Sequence, residues 1–211
     1  MKPEQRTALR RLDQQFDAVR AMPEPLAARE RYKHGIEDLG VGSFFRIGGE
    51  LRHVVSISEY REKSSKWHEL GVFGVETGET TYVEWEKDDE VEISLSGPEL
   101  SLSDIGVTSD EVEEMSERDE GTISYDGRKY HYDDDYGATY HRAKDGPGKG
   151  KGRKKGGEAE KVYFYDFETK DEKWCLTVEE WGDKSEGYEY SVFVSEYYEP
   201  DAVEVLVVAG T

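Results

Sequence analysis

Two short elements of the sequence each place glutamate close to tryptophan, and both could carry chemistry. They are Tyr82-Val83-Glu84-Trp85 and Thr177-Val178-Glu179-Glu180-Trp181. Two carboxylates held close together can divide into a general acid and a general base, as in many hydrolases. Glu84 and Glu179 occupy equivalent places in two similar halves of the chain, so a fold that repeats those halves could face them towards each other. Equivalent positions also arise from shared packing, and no nucleophile or oxyanion donor accompanies the pair.

The tryptophans of these elements form a second candidate set with Trp67, which begins Trp67-His68-Glu69-Leu70. An indole combines a large apolar body with one N–H donor, so it suits a buried core and also the rim of a ligand groove. We favour the core interpretation. If a ligand groove is present, the sequence predicts that its lining includes Trp67, Glu69, Glu84, Trp85, Glu179 and Trp181.

A third cluster contains His131, the run Asp133-Asp134-Asp135 and His141. Imidazole and carboxylate groups are acceptable ligands for a divalent ion. The spacing follows no established metal motif, and we place the cluster around a hairpin that turns at Gly137, where exposed acids are ordinary. We therefore predict no metal site and no cofactor. The lone cysteine, Cys175, lies in a strand-like run and is expected to be an unreactive thiol.

A segment rich in glycine and lysine spans residues 146–157 and is the densest basic cluster of the chain. It lacks the order of glycine, four residues and Gly-Lys-Ser/Thr that cradles nucleotide phosphates. A mobile cationic loop can contact lipid headgroups or other anions, with each lysine adding about 1 kcal/mol near an anionic membrane. The alternative, a solvated hairpin loop, is favoured because no aromatic residues are interleaved. The anion- or membrane-contacting residues would be Lys149, Lys151, Arg153, Lys154 and Lys155.

The net charge limits the partners that this surface can accept. The 211 residues carry 48 acidic and 28 basic side chains, a formal net charge of -20, which repels nucleic-acid phosphate and anionic lipid over most of the surface. We expect a protein partner or a polyamine or other cation, no nucleic acid, and at most peripheral membrane contact. An ordinary solubility surface is the default explanation of the acidity, and adaptation to high salt or a charged face for a basic partner are the alternatives.

The elements that must position these candidates begin with a helical segment over residues 1–40. Four apolar residues mark one stripe of a helix over residues 4–21, at spacings of three, four and three: Leu9, Leu12, Phe16 and Val19. Prolines end this helix, and residues 26–39 resume helical character before Gly40. The stripe is expected to dock on the β core. Self-association through a partner helix is the open alternative.

The rest of the chain consists of two similar β units. Gly42-Ser43-Phe44-Phe45-Arg46-Ile47-Gly48 opens the first, and Gly121-Thr122-Ile123-Ser124-Tyr125-Asp126-Gly127 opens the second. Neither unit could bury enough surface alone, so we predict a mainly β domain of two tandemly repeated antiparallel units that form one composite barrel or sandwich. A helix over residues 110–115, capped by Ser109, is expected between them. The predicted boundaries are 41–97 for the first unit, 98–120 for an acidic connector and 121–209 for the second.

The sequence also favours a cytoplasmic location. No apolar run follows Met1-Lys2, and no stretch approaches the roughly 18–20 apolar residues that a spanning helix needs. A lone cysteine cannot form an internal disulfide, which is typical of a reducing compartment.

Several of these elements resemble a known family, the domain-of-unknown-function family four-one-seven-eight, over about Leu39 to Leu206. The resemblance implies a cytoplasmic bacterial or archaeal accessory domain that occurs near polyamine-synthesis and membrane-stress components. It offers no established activity and no catalytic residues. An aromatic expected after Glu69 is absent, because Leu70 follows it, and the Gly/Lys segment is no family trait. The matching motifs are the strand after Gly42, Trp67-His68-Glu69-Leu70, Tyr82-Val83-Glu84-Trp85, Tyr125-Asp126-Gly127-Arg128-Lys129-Tyr130, Gly137-Ala138 and Val178-Glu179-Glu180-Trp181-Gly182-Asp183.

These observations together predict a non-enzymatic accessory or adaptor module that binds a protein partner or a cationic small molecule, in a membrane-stress or polyamine-linked system. Enzymatic activity is left uncertain, with the balance against it. One alternative is a hydrolase or metal-dependent enzyme that uses the paired acidic or histidine groups. Another is an acidic decoy that occupies a basic groove of a partner.

Overall fold

The computed structural model describes residues 3–142, 159–185 and 187–209. Most of these residues form antiparallel strands. The helices are α1 (Pro3–Ala21), α2 (Ala28–Arg31) and α3 (Ser109–Arg118). The strands are β1 (Phe44–Ile47), β2 (Glu50–Glu62), β3 (Ser65–Gly74), β4 (Thr80–Lys87), β5 (Val91–Ser96), β6 (Thr122–Tyr125), β7 (Arg128–Arg142), β8 (Glu160–Glu168), β9 (Trp174–Asp183), β10 (Gly187–Tyr198) and β11 (Glu204–Val207).

Eight of these strands close into a ring. Neighbours are hydrogen-bonded in the order β2-β3-β4-β5-β10-β9-β8-β7, and β7 returns to pair with β2, where Tyr60 lies opposite Tyr140. Only the C-terminal parts of β2 and β7 make this closing contact. The first part of β2 pairs with β1, which in turn pairs with β11, and the first part of β7 pairs with β6. Closure leaves the eight central strands without a free edge.

The ring is assembled from two similar halves. Strands β1 to β5 follow one another as antiparallel neighbours, and strands β6 to β10 repeat the same order before β11 returns to β1. Matching turns support the comparison, because Gly48 and Gly49 join β1 to β2 and Asp126 and Gly127 join β6 to β7. All four residues have positive φ, as tight hairpin turns require. The predicted mainly β domain of two tandem units with an N-terminal helical extension is confirmed.

The two faces of the ring differ in polarity. Side chains alternate between the inside and the outside of each strand. Outside the first half, Leu70, Val72 and Val83 pack under β1, β11 and a 3-10 turn at Ile36–Asp38. Outside the second half, Val178 and its neighbours pack under β6, α3 and the segment that contains Ile105. The larger apolar clusters therefore lie between the ring and its flanking elements, and the interior is left to other residue types.

Helix α1 contacts the ring through the Gln15 amide and through Ala18, which joins an apolar cluster that includes Phe73. The Gln15 side-chain amide donates to the backbone carbonyls of Val75 and Glu76 at 2.9 and 2.8 Å, and Ala18 is buried. The expectation that the apolar stripe docks is wrong, because Gln15 and Ala18 occupy a different side of the helix. The stripe stays 48–60% exposed at Leu9, Leu12, Phe16 and Val19.

The structure corrects two further local predictions. Residues 26–39 are not one helix, since α2 has only four residues and a 3-10 turn at Ile36–Asp38 follows. Helix α3 is capped by Thr108 rather than Ser109, because the Thr108 hydroxyl accepts from the Glu111 backbone N–H and the Glu111 carboxylate accepts from Thr108 N–H. In the described part of the chain, no helix has the length and apolar character needed to cross a membrane.

The hairpin predicted around Asp133-Asp134-Asp135 is also wrong. Strand β7 continues from Arg128 to Arg142 without a turn, and Gly137 pairs with Tyr163 inside the ladder. The pairing register shifts once, between Tyr132 and Asp134, which is a β-bulge. The bulge changes which acids face inward, and it brings Asp134 opposite Asp166.

Candidate functional site: an acidic cavity inside the strand ring

The ring encloses a cavity of about 330 Å³. Its lining is polar and aromatic, in contrast to the apolar outer face of the same strands. Inward-facing positions of β3, β4, β5, β7, β8, β9 and β10 all contribute to the wall. The lining includes Trp67, Glu84, Glu86, Glu92, Ser96, Asp134, Tyr136, Phe164, Asp166, Cys175, Thr177, Glu179, Phe193, Ser195 and Tyr197.

Three pairs of carboxylates face one another across neighbouring strands in this region. Glu69 of β3 lies opposite Glu84 of β4, and Glu86 of β4 lies opposite Glu92 of β5. On the other wall, Asp134 of β7 lies opposite Asp166 of β8. Like charges directly opposite each other on adjacent strands destabilise a sheet. Three such pairs therefore concentrate acidic groups around the cavity, and a bound cation would stabilise their charged forms.

Glu84 lies in an environment that disfavours its negative charge. Burial raises its pKa well above the ordinary value, and the negative charges of Glu69, Glu179 and Asp166 raise it further. Its side chain is half-buried and lines the cavity. No described residue donates a hydrogen bond to it. A carboxylate in this position is stable only when protonated or when a cation approaches it from the cavity.

The two glutamates near Glu84 each accept a hydrogen bond. Glu69 is 5% exposed and accepts a hydrogen bond from the Tyr60 hydroxyl at 3.2 Å. Glu179 is 2% exposed and accepts one from the Trp181 indole N–H at 2.8 Å. Donors of this kind favour the charged form of a carboxylate and fix its orientation.

Asp166 forms a second titratable centre in the same wall. Burial raises its pKa to about 6, although hydrogen bonds from Thr177 and Tyr136 act in the opposite direction. The Thr177 hydroxyl donates to Asp166 Oδ1 at 2.6 Å. Asp166 therefore changes charge near neutral pH, where an unperturbed aspartate would be fully ionised.

Aromatic rings form the end of the interior nearest the β2–β7 seam. The ring of Tyr60 stacks on Trp67 with 5.1 Å between centroids and an interplanar angle of 8°. Phe164 meets Trp67 edge-on at 5.7 Å and stacks on Tyr136 at 5.2 Å. Such surfaces bind the apolar part of an organic ligand, and their π faces attract cations.

Cys175 also lines the cavity but is held as a thiol. Burial raises its pKa well above the ordinary value, and the charge of Asp166 raises it further. The Sγ atom lies 3.4 Å from the Thr177 hydroxyl. Because the thiolate is the nucleophilic form, this environment suppresses the reactivity of Cys175.

The structure brings most of the sequence-predicted ligand residues together. Trp67, Glu69, Glu84, Glu179 and Trp181 all face the ring interior. Trp85 also borders the cavity, but its ring stacks on His68 at 4.4 Å and packs against the outer apolar cluster. In β4 the tryptophan directly follows the inward glutamate, whereas in β9 one residue separates them. A shift of one residue reverses the face of a strand residue.

Other predicted candidates are not part of this site. His131 and His141 lie at the two ends of one long strand, so they do not meet as the hairpin hypothesis required. Within the described residues, no group of three or more His, Cys, Asp or Glu side chains is arranged to hold a metal ion. The Gly/Lys segment with Lys149, Lys151, Arg153, Lys154 and Lys155 lies outside the described residues.

The sequence reasoning missed Asp166, Tyr136 and the pair Glu86 and Glu92 as cavity residues. In β8, Phe164 and Asp166 alternate with Tyr165 and Phe167, but this alternation does not say which face lies inside. Glu86 and Glu92 border a short acidic hairpin that is indistinguishable from a solvated turn in sequence. Only the ring closure shows that these acids converge.

Fold and site together define a β-ring domain with an acidic and aromatic interior. A family model described as a domain of unknown function (DUF4178) matches residues 40–200. The chain belongs to this family. The match covers the complete strand ring and leaves out α1. Searches of the curated proteins and of the solved structures gave no match.

Proposed function

We propose that this protein is a non-enzymatic accessory module that binds a cationic small molecule inside the strand ring. The proposal rests on Glu84, a carboxylate that lines the cavity, has no hydrogen-bond donor among the described residues and lies among three other acids. A positively charged ligand group would complete this arrangement. The protein would then be most stable when the cavity is occupied.

The cavity lining favours an organic cation over a simple metal ion. Hard divalent ions need several oxygen ligands converging on one point, and the described acids form no such group. The acids instead alternate with Trp67, Tyr136 and Phe164, whose rings suit carbon chains as well as charge. This combination supports the polyamine-linked role that the family resemblance implies.

The wider role that we propose is that of an adaptor in a cytoplasmic membrane-stress or polyamine-linked system. The ring offers a ligand-dependent element, and the acidic outer surface offers a second contact area for a basic protein partner. The net charge of -20 supports such a partner through long-range attraction. Ligand binding inside the ring would then affect the protein partner by changing the stability of the elements that flank the ring.

Isothermal titration calorimetry with spermidine tests the binding proposal. We expect saturable binding near one equivalent that persists at about 0.15 M salt, where condensation on exposed charges is largely screened. Glu84→Gln should weaken binding by about tenfold or more, because it removes a charged hydrogen-bond acceptor. Glu90→Gln is the matched control, since Glu90 is exposed in the β4–β5 turn and does not line the cavity.

Equal weakening by the two variants would show nonspecific attraction to an acidic surface and would overturn the proposal. Absence of saturable spermidine binding at low salt would do the same. Circular dichroism and thermal melting of each variant establish that a loss of binding does not come from a loss of fold.

An enzymatic role is the second candidate, and one observation favours it. Asp166 has a pKa raised to about 6 by burial, and burial and neighbouring acids raise the pKa of Glu84 as well. Acids that titrate near neutral pH can transfer protons in a general acid–base mechanism. Under this hypothesis, turnover of a bound amide or ester substrate would depend on both groups. A hydrolysis screen in which Asp166→Asn and Glu84→Gln abolish turnover, at unchanged binding, would support the enzyme.

A further inference from the structure

Strand β4 carries two inward carboxylates in succession. Glu84 and Glu86 are two residues apart and both line the cavity. Each belongs to a cross-strand pair, Glu84 with Glu69 and Glu86 with Glu92. The ring interior therefore has two adjacent acidic positions along one strand, which we call the inner pair (Glu69 and Glu84) and the outer pair (Glu86 and Glu92).

The two pairs differ in their access to solvent. Glu69 in the inner pair is buried, whereas Glu92 in the outer pair is exposed and Glu86 is half-buried. Glu62, at the end of β2, raises the pKa of Glu86 together with burial, Glu92 and Asp88, burial being the largest cause. The outer pair therefore lies at the mouth of the cavity, and the inner pair lies deeper.

Strand geometry sets the distance between the pairs. Residues two apart on one face of a strand are separated by about 6.6 Å. A fully extended chain of four carbons separates its terminal nitrogens by about 6 Å. A three-carbon chain separates its nitrogens by about 5 Å and therefore matches this backbone spacing less well.

An aromatic side chain lies beside the outer pair, next to Glu69 on the inward face of β3. Trp67 of β3 lies directly opposite Glu86, while Glu69 lies opposite Glu84. Trp67 is buried against Tyr60 and Phe164, so its indole is fixed in place. A methylene chain running from the inner to the outer pair would pass beside this ring and bury apolar surface against it.

We propose that the cavity selects linear aliphatic diammonium ions, with one nitrogen at the inner pair and one at the outer pair. This inference rests on the proposed function, because it specifies the chemical class of the cation that the ring binds. Monoammonium ions fill one pair only. They leave the like charges of the other pair uncompensated.

Calorimetry with a matched set of amines tests this selectivity. The probes are n-butylamine, 1,3-diaminopropane and 1,4-diaminobutane, all at pH 7 and about 0.15 M salt. We expect 1,4-diaminobutane to bind about tenfold or more tightly than n-butylamine, since a second charge-assisted contact is formed. We expect 1,3-diaminopropane to fall between them, because its nitrogens do not reach both pairs equally.

Two variants assign the selectivity to the outer pair. The double substitution Glu86→Gln and Glu92→Gln should lower the affinity for 1,4-diaminobutane to that for n-butylamine and leave n-butylamine binding unchanged. The matched control is Asp88→Asn with Glu90→Gln, which removes two charges from the same hairpin at positions that do not line the cavity. This control should retain the preference.

The outcomes separate this inference from the proposed function. Equal affinity for n-butylamine and 1,4-diaminobutane overturns the two-pair arrangement, and so does a preference for the diamine that survives in the Glu86/Glu92 variant. In either case, saturable binding of an amine leaves the proposed function standing. If no amine in the set and no spermidine binds, both are overturned. Thermal melting of the double variant shows whether the ring remains folded.

Discussion

Glu69 and Glu84 lie directly opposite each other on neighbouring strands, and both face the interior of the strand ring. Only one of them has a clear hydrogen-bond donor, the Tyr60 hydroxyl that contacts Glu69. The sheet therefore contains an unfavourable pair on its inward face. Residues that cost stability and yet are held by the fold are characteristic of functional sites.

The first prediction concerns the stability of the ligand-free protein. Glu84→Gln should raise the melting temperature, because the amide keeps the shape of glutamate and removes a half-buried charge that three acids repel. Each kcal/mol gained corresponds to about 2–4 °C for a chain of this size. The gain should be larger at pH 8 than at pH 5, since the pKa of Glu84 is raised and its charge penalty is present only where it ionises.

Differential scanning calorimetry at the two pH values provides the measurement. Glu90→Gln again serves as the control, and it should leave the melting temperature nearly unchanged. A lower melting temperature in Glu84→Gln at pH 8 would mean that the carboxylate stabilises the empty ring, contrary to the argument from the cavity.

The second prediction is a pH dependence that comes from Asp166. Burial raises its pKa to about 6, so the folded state binds a proton that the unfolded state releases near its ordinary value of 3.8. Stability from this group is therefore full below about pH 4, falls as the pH rises to about 6, and is constant above that. The difference between the extremes is on the order of 3 kcal/mol.

Urea denaturation of the native protein and Asp166→Asn between pH 4 and pH 8 isolates this contribution. Other acids with lowered pKa, such as Asp135 and Asp104, shift the whole curve in the opposite direction, but they are common to both proteins. The difference curve should therefore fall between pH 4 and pH 6 and then level off. A difference curve that is flat throughout would show that Asp166 ionises normally.

The sequence predicted part of the candidate site where the repeat of the two halves and the alternation of strand residues agree. The equivalence of Glu84 and Glu179 predicted that they could face each other, and the ring places both around one cavity. What the sequence could not provide was the polarity of the ring. Sheets usually turn their apolar face inward, whereas here Leu70 and Val83 face outward under β1 and β11. Flanking elements decide this, and alternation alone is symmetric between the two faces.

Local composition predicts a turn within β7, where the structure has a continuous strand. Three successive aspartates at 133–135 are typical of a turn, and their strand propensity is poor. The ladder to β8 and a β-bulge override that preference. Asp135 accepts hydrogen bonds from the hydroxyls of Tyr132, Tyr163 and Ser116, which compensates the strand for carrying an acid there. Tyr132 is a neighbour in sequence, but Ser116 and Tyr163 are 19 and 28 residues away and cannot be inferred from the run itself.

The third prediction tests the cap of α3. Thr108→Ala should destabilise the protein by about 1 kcal/mol, because the Glu111 N–H loses its acceptor and the reciprocal capping contact is weakened. Thr108→Ser keeps the hydroxyl and should cost little. Equilibrium urea denaturation of both variants gives the comparison. Equal destabilisation by alanine and serine would assign the effect to the threonine methyl group and not to the cap.

The fourth prediction concerns closure of the ring. Ser58 and Tyr140 lie on the two strands that close it, and their hydroxyls are 2.8 Å apart although 82 residues separate them in sequence. Both side chains are about 4% exposed, so water does not replace a lost partner. A double-mutant cycle with Ser58→Ala and Tyr140→Phe should therefore show a favourable coupling free energy of about 1 kcal/mol. Equilibrium denaturation of the four proteins measures it, and additivity of the two single changes would mean that the seam is held by the strand ladder and ring packing alone.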